Sequence, residues 1–435
     1  MFALRGVASP FLTTLYGPTL TSPGMTRFRD KRVLARAETY LARSGKLPIE
    51  IHILGNTYTS DLDPTHYAVD DFLRRIAGRM DSLQFYAHQR LDLAYFLHHV
   101  FEELSRGPPM ALTRLAIQYG MNKYPRDARF ARAHAFEVRN NTLDLHSHSG
   151  LVSGRIENGI TPLKILHLCG VAPRWSSNVY CGLTDLRLSS SEYRWFRIDE
   201  STFITILRSS PTLQILHFEL DILLHSVQEN VTPVDLPDLQ VVKISRALIY
   251  HPNRDSIIQV GNVLRLLAPG TKPLNLWFDD MGDPSIYSLQ ELENFFARSK
   301  VRRFYYEYGY GTGRPPIATL LRHGSHLEVL VLNYWFHPYG LPPLPPLQHE
   351  VQGPLTRLNS LYLMGYRLHI DYIRIMLDLC PNGVVLYDFN SLAFGSRHYL
   401  SLSRREMLKL FPAIRIPDDE SRYFPFPITD WDILV

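Results

Sequence analysis

The sequence predicts an α/β fold, a leucine-rich-repeat-like solenoid with degenerate repeats, a parallel sheet on the concave side and helices outside. Two observations predict it. The first is a pattern with apolar residues at positions one, four and six, which occurs at residues 163–168, 183–188 and 213–218. Each copy ends in an apolar–polar–apolar alternation, which is typical of a strand with one buried and one solvated face.

The second observation is a helix signal between the second and third copies. Asp199 stands at an N-cap position, Phe203, Ile206 and Leu207 follow at helical spacing, and Pro211 ends the helix. Strands that alternate with helices indicate a parallel sheet with helices on its outside. Recurrence of this unit every ~20–30 residues is typical of leucine-rich repeats.

Further copies of the pattern predict strands along most of the chain. They lie at residues 112–117, 239–244, 271–276, 301–306, 327–332 and 358–363, and a weak last strand is expected at 384–386. Helices are predicted at residues 27–43, 70–80, 91–104, 255–267, 288–298, 317–322 and 371–379. Ser288 and Glu291 form a capping box at the start of one of them.

Residues 47–54 allow two interpretations. The run Leu47-Pro-Ile-Glu-Ile resembles the opening of an F-box, the helical motif that binds the adaptor of cullin-type ubiquitin ligases. However, Ile49, Ile51 and Ile53 alternate with polar residues, and β-branched residues at period two predict a strand. We therefore expect the first strand of the solenoid here.

Four parts of the chain are expected from these patterns. Residues 1–30 form a flexible N-terminal segment, and residues 31–150 hold N-terminal helices and the first irregular repeats. Residues 151–395 form the leucine-rich-repeat-like solenoid, and residues 396–435 form a C-terminal tail or cap. A chain of 435 residues fits one solenoid, because each repeat contacts only its neighbours.

The composition of the chain limits the classes of binding partner and the cellular compartments that we expect. The net charge is only +4, from 46 basic and 42 acidic residues, so we expect no nucleic-acid partner. No apolar run is long enough to span a bilayer, so no membrane partner is expected. Cys169, Cys181 and Cys380 form no CxxC pair, which favours a reducing compartment, cytoplasmic or nuclear. Residues 1–29 are Arg-containing without acidic residues, and a mitochondrial location is the alternative.

Several residue groups resemble ligand sites, and each has a simpler interpretation. The glycines at 309–313 follow a strand like a dinucleotide-binding loop, but the third comes one residue early and two prolines follow. Asp279, Asp280 and Asp283 lack the spacing of a calcium loop. The prolines at 338–346 fit either a PxxP docking segment or a stiff surface loop.

Histidines that could bind a metal lie in two groups. They are His98, His99, His134, His146 and His148. No carboxylate or cysteine stands at ligand spacing from them, so surface histidines are the expected interpretation and no metal is predicted. The sequence also contains no GxSxG, HExxH or Walker motif. We therefore expect no enzymatic activity and no cofactor.

The candidate binding residues come from the fifth position of the pattern, which points away from the leucines. They are His167, Arg187, His217, Lys243, Asn275, Tyr305 and Tyr362, with Val331 in the same column. The first half of this column is basic or titratable and the second half is aromatic or apolar. Aromatic residues and arginine dominate protein–protein hot spots, so the column predicts a protein partner on the concave face.

Several sequence segments of the chain resemble those of a known protein family. These are Ala42-Arg-Ser-Gly45 followed by Pro48-Ile-Glu-Ile-His52, the pair of repeats at 163–188, and residues 200–218. They are similar to the F-box and leucine-rich-repeat-like proteins of basidiomycete fungi, which carry an F-box before the Ala-Arg-Ser-Gly phrase. No F-box is recognisable before Arg27 in this sequence.

That resemblance implies a function. Members are taken to be substrate receptors of cullin-type ubiquitin ligases, so we expect a non-catalytic module resembling their substrate-recognition part. The ligase adaptor is an expected partner only if an F-box precedes this sequence. A free-standing repeat scaffold unconnected to ubiquitin ligation and an enzyme with an unrecognised site are the alternatives.

Overall fold

The computed structural model divides the chain into two compact units. Unit 1 comprises Met1–Leu213 with Ala247–Asn253, and unit 2 comprises Gln214–Arg246 with Arg254–Val435. The residues that the structure describes are 2–6, 31–55, 66–87, 100–104, 106–108, 111–119, 163–170, 172–173, 175–190, 197–223, 231–245, 260–281, 289–308, 321, 324–333, 358–364, 368–380, 382–387, 392–394, 398–400 and 403–416.

Unit 1 is built from strands and helices. In chain order they are β1 (Phe2–Gly6), α1 (Lys31–Arg43), β2 (Ile49–Gly55), α2 (His66–Ile76), β3 (Met80–Ala87), β4 (Arg114–Tyr119), β5 (Ile165–Cys169), β6 (Asp185–Ser189), β7 (Arg197–Asp199) and α3 (Glu200–Ser209). Its main sheet runs in the order β1-β2-β3-β4-β5-β6. The pairings from β2 to β6 are parallel, and β1 is antiparallel to β2.

Unit 2 follows the same plan. Its elements are β8 (Ile215–Glu219), β9 (Asp221–Leu223), β10 (Val234–Leu236), β11 (Val241–Ser245), α4 (Val260–Leu264), β12 (Leu267–Pro269), β13 (Leu274–Met281), α5 (Leu289–Arg298), β14 (Val301–Tyr308), β15 (Val329–Asn333), β16 (Ser360–Met364), β17 (Leu368–His369), α6 (Ile370–Leu379), β18 (Val384–Tyr387), β19 (Leu392–Phe394), β20 (His398–Leu400), α7 (Arg404–Leu410) and β21 (Ile414–Arg415). Its main sheet is parallel throughout, in the order β8-β11-β13-β14-β15-β16-β18-β21.

The predicted α/β fold with a large parallel sheet is confirmed. The fourth- and sixth-position leucines form the core: Leu166 and Leu186 of unit 1 and Leu216 and Leu330 of unit 2 are all 0% exposed. In β5 the residue between them is partly exposed, as the alternating burial of this strand shows. One face of each sheet is therefore packed inside the protein, and the opposite face is what we call the second face.

A repeated backbone hydrogen-bond pair joins successive strands. The carbonyl of Lys164 accepts from Thr184 N and Asp185 N, at 2.8 and 3.1 Å. The carbonyls of Gln214 and Glu328 each accept the same two bonds from the next strand in their sheet. The residue at the second pattern position thus fixes the start of the following strand, which keeps the leucines in register.

A proline turn precedes several strands. In the runs Ser210-Pro-Thr-Leu213 and Leu236-Pro-Asp-Leu239, the leucine N–H donates to the carbonyl three residues earlier, in both cases at 3.1 Å. Proline suits the second position of such a turn, because its fixed φ is close to the angle that the turn requires. The first leucine of the pattern is therefore placed by the turn and not only by its own burial.

Ser210, which follows α3, is hydrogen-bonded to the segment that precedes β6. This buried serine donates its Oγ–H to the carbonyl of Tyr180 at 2.8 Å, and its Oγ accepts from the backbone N–H of Leu183 at 3.0 Å. Tyr180 itself is buried, and burial raises the pKa of its hydroxyl well above the ordinary value. The second bond satisfies a buried backbone N–H, while the Tyr180 carbonyl also accepts from Ser209 Oγ at 3.2 Å.

Three predicted segments differ from the structure. Residues 2–6 of the segment expected to be flexible form β1, paired with β2. The helix predicted at 70–80 is α2 and ends at Ile76, and β3, which the sequence patterns missed, begins at Met80. Within the helix predicted at 255–267, α4 spans Val260–Leu264 and β12 begins at Leu267. Asp199 is the N-cap residue of α3, as predicted, although its side chain makes no capping hydrogen bond.

Several predicted features lie outside the described residues. These are the histidines at 98, 99, 134, 146 and 148, the glycine loop at 309–314, the prolines at 338–346, Ser288 of the capping box, Asp283, and all but Leu321 of the helix at 317–322. In the part of the chain that is described, no helix combines the length and the apolar character needed to cross a membrane.

Candidate protein-binding surface

The second face of unit 1 carries a compact ionic cluster. His167 on β5 lies beside Arg187 on β6 in the strand register, as the sequence predicts for two fifth-position residues. Arg187 donates Nε–H to Asp185 Oδ1 and Nη2–H to Asp185 Oδ2, both at 3.0 Å. His167 Nε2 lies 3.0 Å from Asp185 Oδ2. The two predicted residues therefore share one carboxylate, which the sequence pattern did not predict.

The charge of Asp185 is stabilised by these neighbours. Its burial raises the carboxyl pKa, but contacts from His167 and Arg187 outweigh burial and leave the pKa below its ordinary value. A bidentate arginine–carboxylate pair also fixes the orientation of the guanidinium. Arg187 is consequently oriented by Asp185, and only part of its guanidinium faces solvent, with 25% of the side chain exposed.

A second polar group lies on β2 and β3 of the same unit. Glu50 Oε1 lies 2.9 Å from His52 Nε2 and accepts from Gln84 Nε2 at 2.7 Å. Both this group and the Asp185 cluster place a histidine beside a partly buried carboxylate. An acidic residue two positions before a His or Arg in a strand was the sequence signal that could have found both groups.

In unit 2 the fifth-position column forms one continuous row. The strand registers align His217, Lys243, Trp277, Tyr305, Val331 and Tyr362 across β8, β11, β13, β14, β15 and β16. The prediction of Asn275 in this row is wrong, because Trp277 occupies that place. Asn275 lies two residues earlier on the same face, beside Arg303.

The sequence misplaced this residue because β13 offers two equivalent alignments. Leu274, Leu276 and Phe278 are all apolar with period two, and all three are fully buried. The pattern can therefore end at Leu276 or at Phe278. The structure pairs Phe278 with Ile244, which moves the fifth position to Trp277.

Cationic and aromatic side chains stack along this row. Lys243 Nζ lies 4.1 Å from the centroid of the Trp277 ring, which is cation–π geometry. The Trp277 and Tyr305 rings follow at 4.8 Å between centroids with an interplanar angle of 59°. Lys243, Trp277 and Tyr362 are each partly exposed. They form the accessible part of the row.

Tyr305 is not part of that accessible surface. It is 2% exposed and Val331 is 0% exposed, and Trp277, Val329 and Tyr362 pack against them. The Tyr305 hydroxyl donates to Glu307 Oε2 and accepts from Asn333 Nδ2 at 2.8 Å. The expectation that Tyr305 contacts a partner is corrected, because its neighbours in the row cover it. Tyr305 instead packs against the Trp277 ring.

No resident ligand site is evident on the described surface. Among the described residues, no group of three His, Cys, Asp or Glu side chains is close enough to hold a metal ion. Cys169, Cys181 and Cys380 are free thiols, of which Cys181 is exposed and Cys380 is buried. Burial raises the pKa of Cys380.

Comparison with known proteins adds no assignment. No family model matches the chain, and no curated protein matches it. The candidate surface thus consists of two described groups: the His167–Asp185–Arg187 cluster of unit 1 and the Lys243–Trp277–Tyr362 row of unit 2, supported by Tyr305.

Proposed function

We propose that the chain is a non-catalytic protein-interaction module, a leucine-rich-repeat-like solenoid resembling the substrate-recognition part of an F-box ubiquitin-ligase receptor. The observation that carries the proposal is the row on the second face of unit 2, where Lys243, Trp277 and Tyr362 are aligned and partly exposed. Tryptophan and tyrosine dominate protein–protein hot spots, since they bury much area at little entropic cost.

The row is also held in place before a partner arrives. Trp277 packs between the Lys243 ammonium and the Tyr305 ring, and Tyr305 is anchored by Glu307 and Asn333. A side chain that is already ordered loses less conformational entropy on binding, so more of its contact energy becomes affinity. Such preorganisation favours recognition of a protein surface.

The ionic cluster of unit 1 supports a binding role as well. Asp185 is engaged by Arg187 and His167, and Glu50 is engaged by Gln84 and His52. These pairs orient charged side chains on the second face, and such oriented charges give an interface specificity. The free thiols support a cytoplasmic or nuclear location.

Affinity capture of the tagged full chain from fungal cells, read by quantitative mass spectrometry, tests this function. We expect a reproducible set of captured proteins with the unaltered chain and a loss of about tenfold for the Lys243→Glu/Tyr362→Ala double variant, as truncation of two hot-spot residues predicts. Lys300→Ala is the matched control, because Lys300 is exposed and lies outside the row.

The same experiment separates the ubiquitin-linked function from its alternative. Recovery of the cullin adaptor together with the captured proteins supports a ligase receptor. Recovery of those proteins without the adaptor supports a free-standing scaffold. If the double variant captures the same proteins as the unaltered chain, the row is not the binding surface.

A further inference from the structure

We propose that α1 is a second docking surface of the chain and that it binds an acidic α-helix of a protein partner, with glutamates seven residues apart along one flank. This surface lies on unit 1 and does not involve the row on unit 2, so the inference goes beyond the proposed function. It follows from the charge of α1, from the spacing of its arginines and from the short side chains beside them.

The positive charge of the chain is concentrated around α1. Residues 27–49 contain seven basic residues against two acidic ones, whereas the whole chain has a net charge of only +4. Arg36, Arg43 and Lys46 are exposed, and among the described residues none of the three is paired with a carboxylate. Carboxylates of a partner therefore complement the charge that α1 presents to solvent.

The carboxylates near α1 leave this charge positive. Glu38 on α1 and Asp71 on α2 both pair with Arg75, on the flank of α1 that faces α2. β1, which also packs beside α1, contains no carboxylate. Asp30 is the other acidic residue of the count above, and the side chain of Asp70 on α2 lies outside the described residues. Asp30 and Glu38 together offset only two of the seven basic residues.

The spacing of Arg36 and Arg43 matches a partner helix. The two residues are seven positions apart, which is two turns and ~10.5 Å along the helix axis. Because a second helix has the same rise per residue, glutamates seven positions apart on it meet both guanidinium groups. Same-side residues of an extended segment are about 6.6 or about 13 Å apart, which fits this spacing less well.

Short side chains beside the arginines allow a helix to come close. Ala35, Thr39 and Ala42 are exposed at four- and three-residue spacing, which is the spacing of the contact positions in paired helices. The Thr39 hydroxyl donates to the Ala35 carbonyl at 2.8 Å, so it needs no further partner inside a contact. The opposite side of α1 is packed into unit 1, since Ala37 is only 3% exposed. The short side chains and the two arginines therefore share the exposed side of α1.

Direct binding of helical peptides to the full chain tests this inference. Fluorescence polarisation is measured with a labelled acidic peptide, three repeats of AAQAEQQ, and a matched basic peptide, three repeats of AAQAKQQ. We expect the acidic peptide to bind about tenfold more tightly at low salt, and the difference to shrink as salt screens the charges. Arg36→Gln and Arg43→Gln should each weaken binding of the acidic peptide about threefold, as loss of one charge pair predicts.

A neutral double variant tests whether the peptide docks as a helix. Ala35→Gln/Ala42→Gln keeps the charge and the helix propensity of α1 but fills the space beside the arginines, so it should weaken binding about threefold or more. Arg208→Gln is the matched control, because Arg208 is exposed on α3 of the same unit, and it should leave binding unchanged. Circular dichroism establishes that each variant is folded.

Four outcomes would overturn the inference. They are equal binding of the two peptides, no binding of the acidic peptide, unchanged binding by the Ala35→Gln/Ala42→Gln variant, and tighter binding of oligothymidylate or of phosphatidylserine vesicles than of the acidic peptide. The last outcome would assign α1 to a nucleic acid or a membrane instead. Cellular capture that depends on Lys243 and Tyr362 is a separate measurement, so the proposed function can stand when this inference fails.

Discussion

Tyr305 combines a fully buried ring with a hydroxyl that bonds two polar side chains, Glu307 and Asn333. We expect Tyr305→Ala to lower the free energy of unfolding by about 3–5 kcal/mol, the range for removing a buried aromatic ring. Tyr305→Phe keeps the ring but leaves the buried Asn333 amide without this acceptor, and should cost about 1–3 kcal/mol. Urea denaturation followed by circular dichroism measures both.

Tyr362→Ala is the comparison for these variants, since Tyr362 lies in the same row but is partly exposed. Its cost should be clearly smaller than that of Tyr305→Ala. Equal costs at the two positions would contradict the assignment of Tyr305 to the interior and of Tyr362 to the surface.

Asp185 should make unit 1 sensitive to acid. Burial raises its pKa, but His167 and Arg187 lower it more, so the folded pKa is below the unfolded value of about 3.9. A depressed carboxyl pKa contributes stability above about pH 4, and that contribution is lost as the pH falls through the folded pKa. We therefore expect Asp185→Asn to flatten the decline of unfolding free energy below about pH 4, measured by urea titrations across that range.

Arg187→Ala tests the same ion pair from the side of the arginine. Without the guanidinium the buried carboxylate loses two charged hydrogen bonds, which should cost about 1.5–3 kcal/mol near neutral pH and raise the Asp185 pKa. The chain should remain folded. Asp235→Asn is the control for Asp185→Asn, because it also removes a carboxylate but Asp235 is exposed on β10. A similar flattening in that variant would show that Asp185 is not responsible.

At the scale of elements, the six-residue pattern identified strands reliably. Each predicted copy overlaps a strand, because the fourth and sixth positions are buried leucines or equivalents on one face, as Leu166 and Leu168 of β5 are. The pattern missed β3, where Leu83 and Phe85 alternate after a helix, and it missed short strands such as β12. Strands of three residues are fixed by pairing with a neighbour, which a local pattern does not contain.

The sequence predicted which face of the sheet the candidate residues lie on, but it did not predict how deeply each side chain is buried. The pattern placed Lys243 and Tyr362 on the second face, and the registers agree. It did not show that Tyr305 is buried, since burial on this face comes from neighbours on other strands. Nor did it choose between Asn275 and Trp277, because three evenly spaced apolar residues in β13 allow two alignments.

Ser210 tests how much one side chain contributes to joining two elements. Ser210→Ala removes the donor to the Tyr180 carbonyl and the acceptor of the Leu183 N–H, both in a buried position. The Leu183 N–H then loses this acceptor, while the Tyr180 carbonyl keeps the bond from Ser209 Oγ, so we expect a loss of about 1–3 kcal/mol in the free energy of unfolding. Chemical denaturation of the purified chain measures the loss.

Thr212→Ala is the control for this element, because Thr212 lies in the adjacent turn and is exposed. We expect a change within about 0.5 kcal/mol, the usual range for surface substitutions. A loss as large as that of Ser210→Ala would mean that the turn itself, and not the buried serine, carries the stability.

At the scale of the whole molecule, the repeated strand start is the strongest sign of repeat behaviour. The same pair of backbone hydrogen bonds recurs at Lys164 in unit 1 and at Gln214 and Glu328 in unit 2. Each strand is thereby positioned by the one before it. In a repeat solenoid, which we propose for this chain, stability is close to a sum of contributions from single repeats and from the contacts between neighbours.

Additive stability of this kind predicts a local response to a buried cavity within unit 2. Leu330→Ala in β15 should cost about 2–5 kcal/mol, because Leu330 is fully buried. Hydrogen exchange should accelerate in β15 and in its partners β14 and β16, and should change little in β8, which lies four steps away in the sheet order.

Leu216→Ala in β8 is the reciprocal variant, since Leu216 is equally buried and β8 pairs with β11. Exchange should then accelerate in β8 and β11 and change little in β15 and β16. Localised effects that move with the mutated strand require contacts that act mainly between neighbours, as in a solenoid. A uniform increase in exchange throughout unit 2 for both variants would instead indicate one cooperative globular core, and the solenoid description would have to be abandoned.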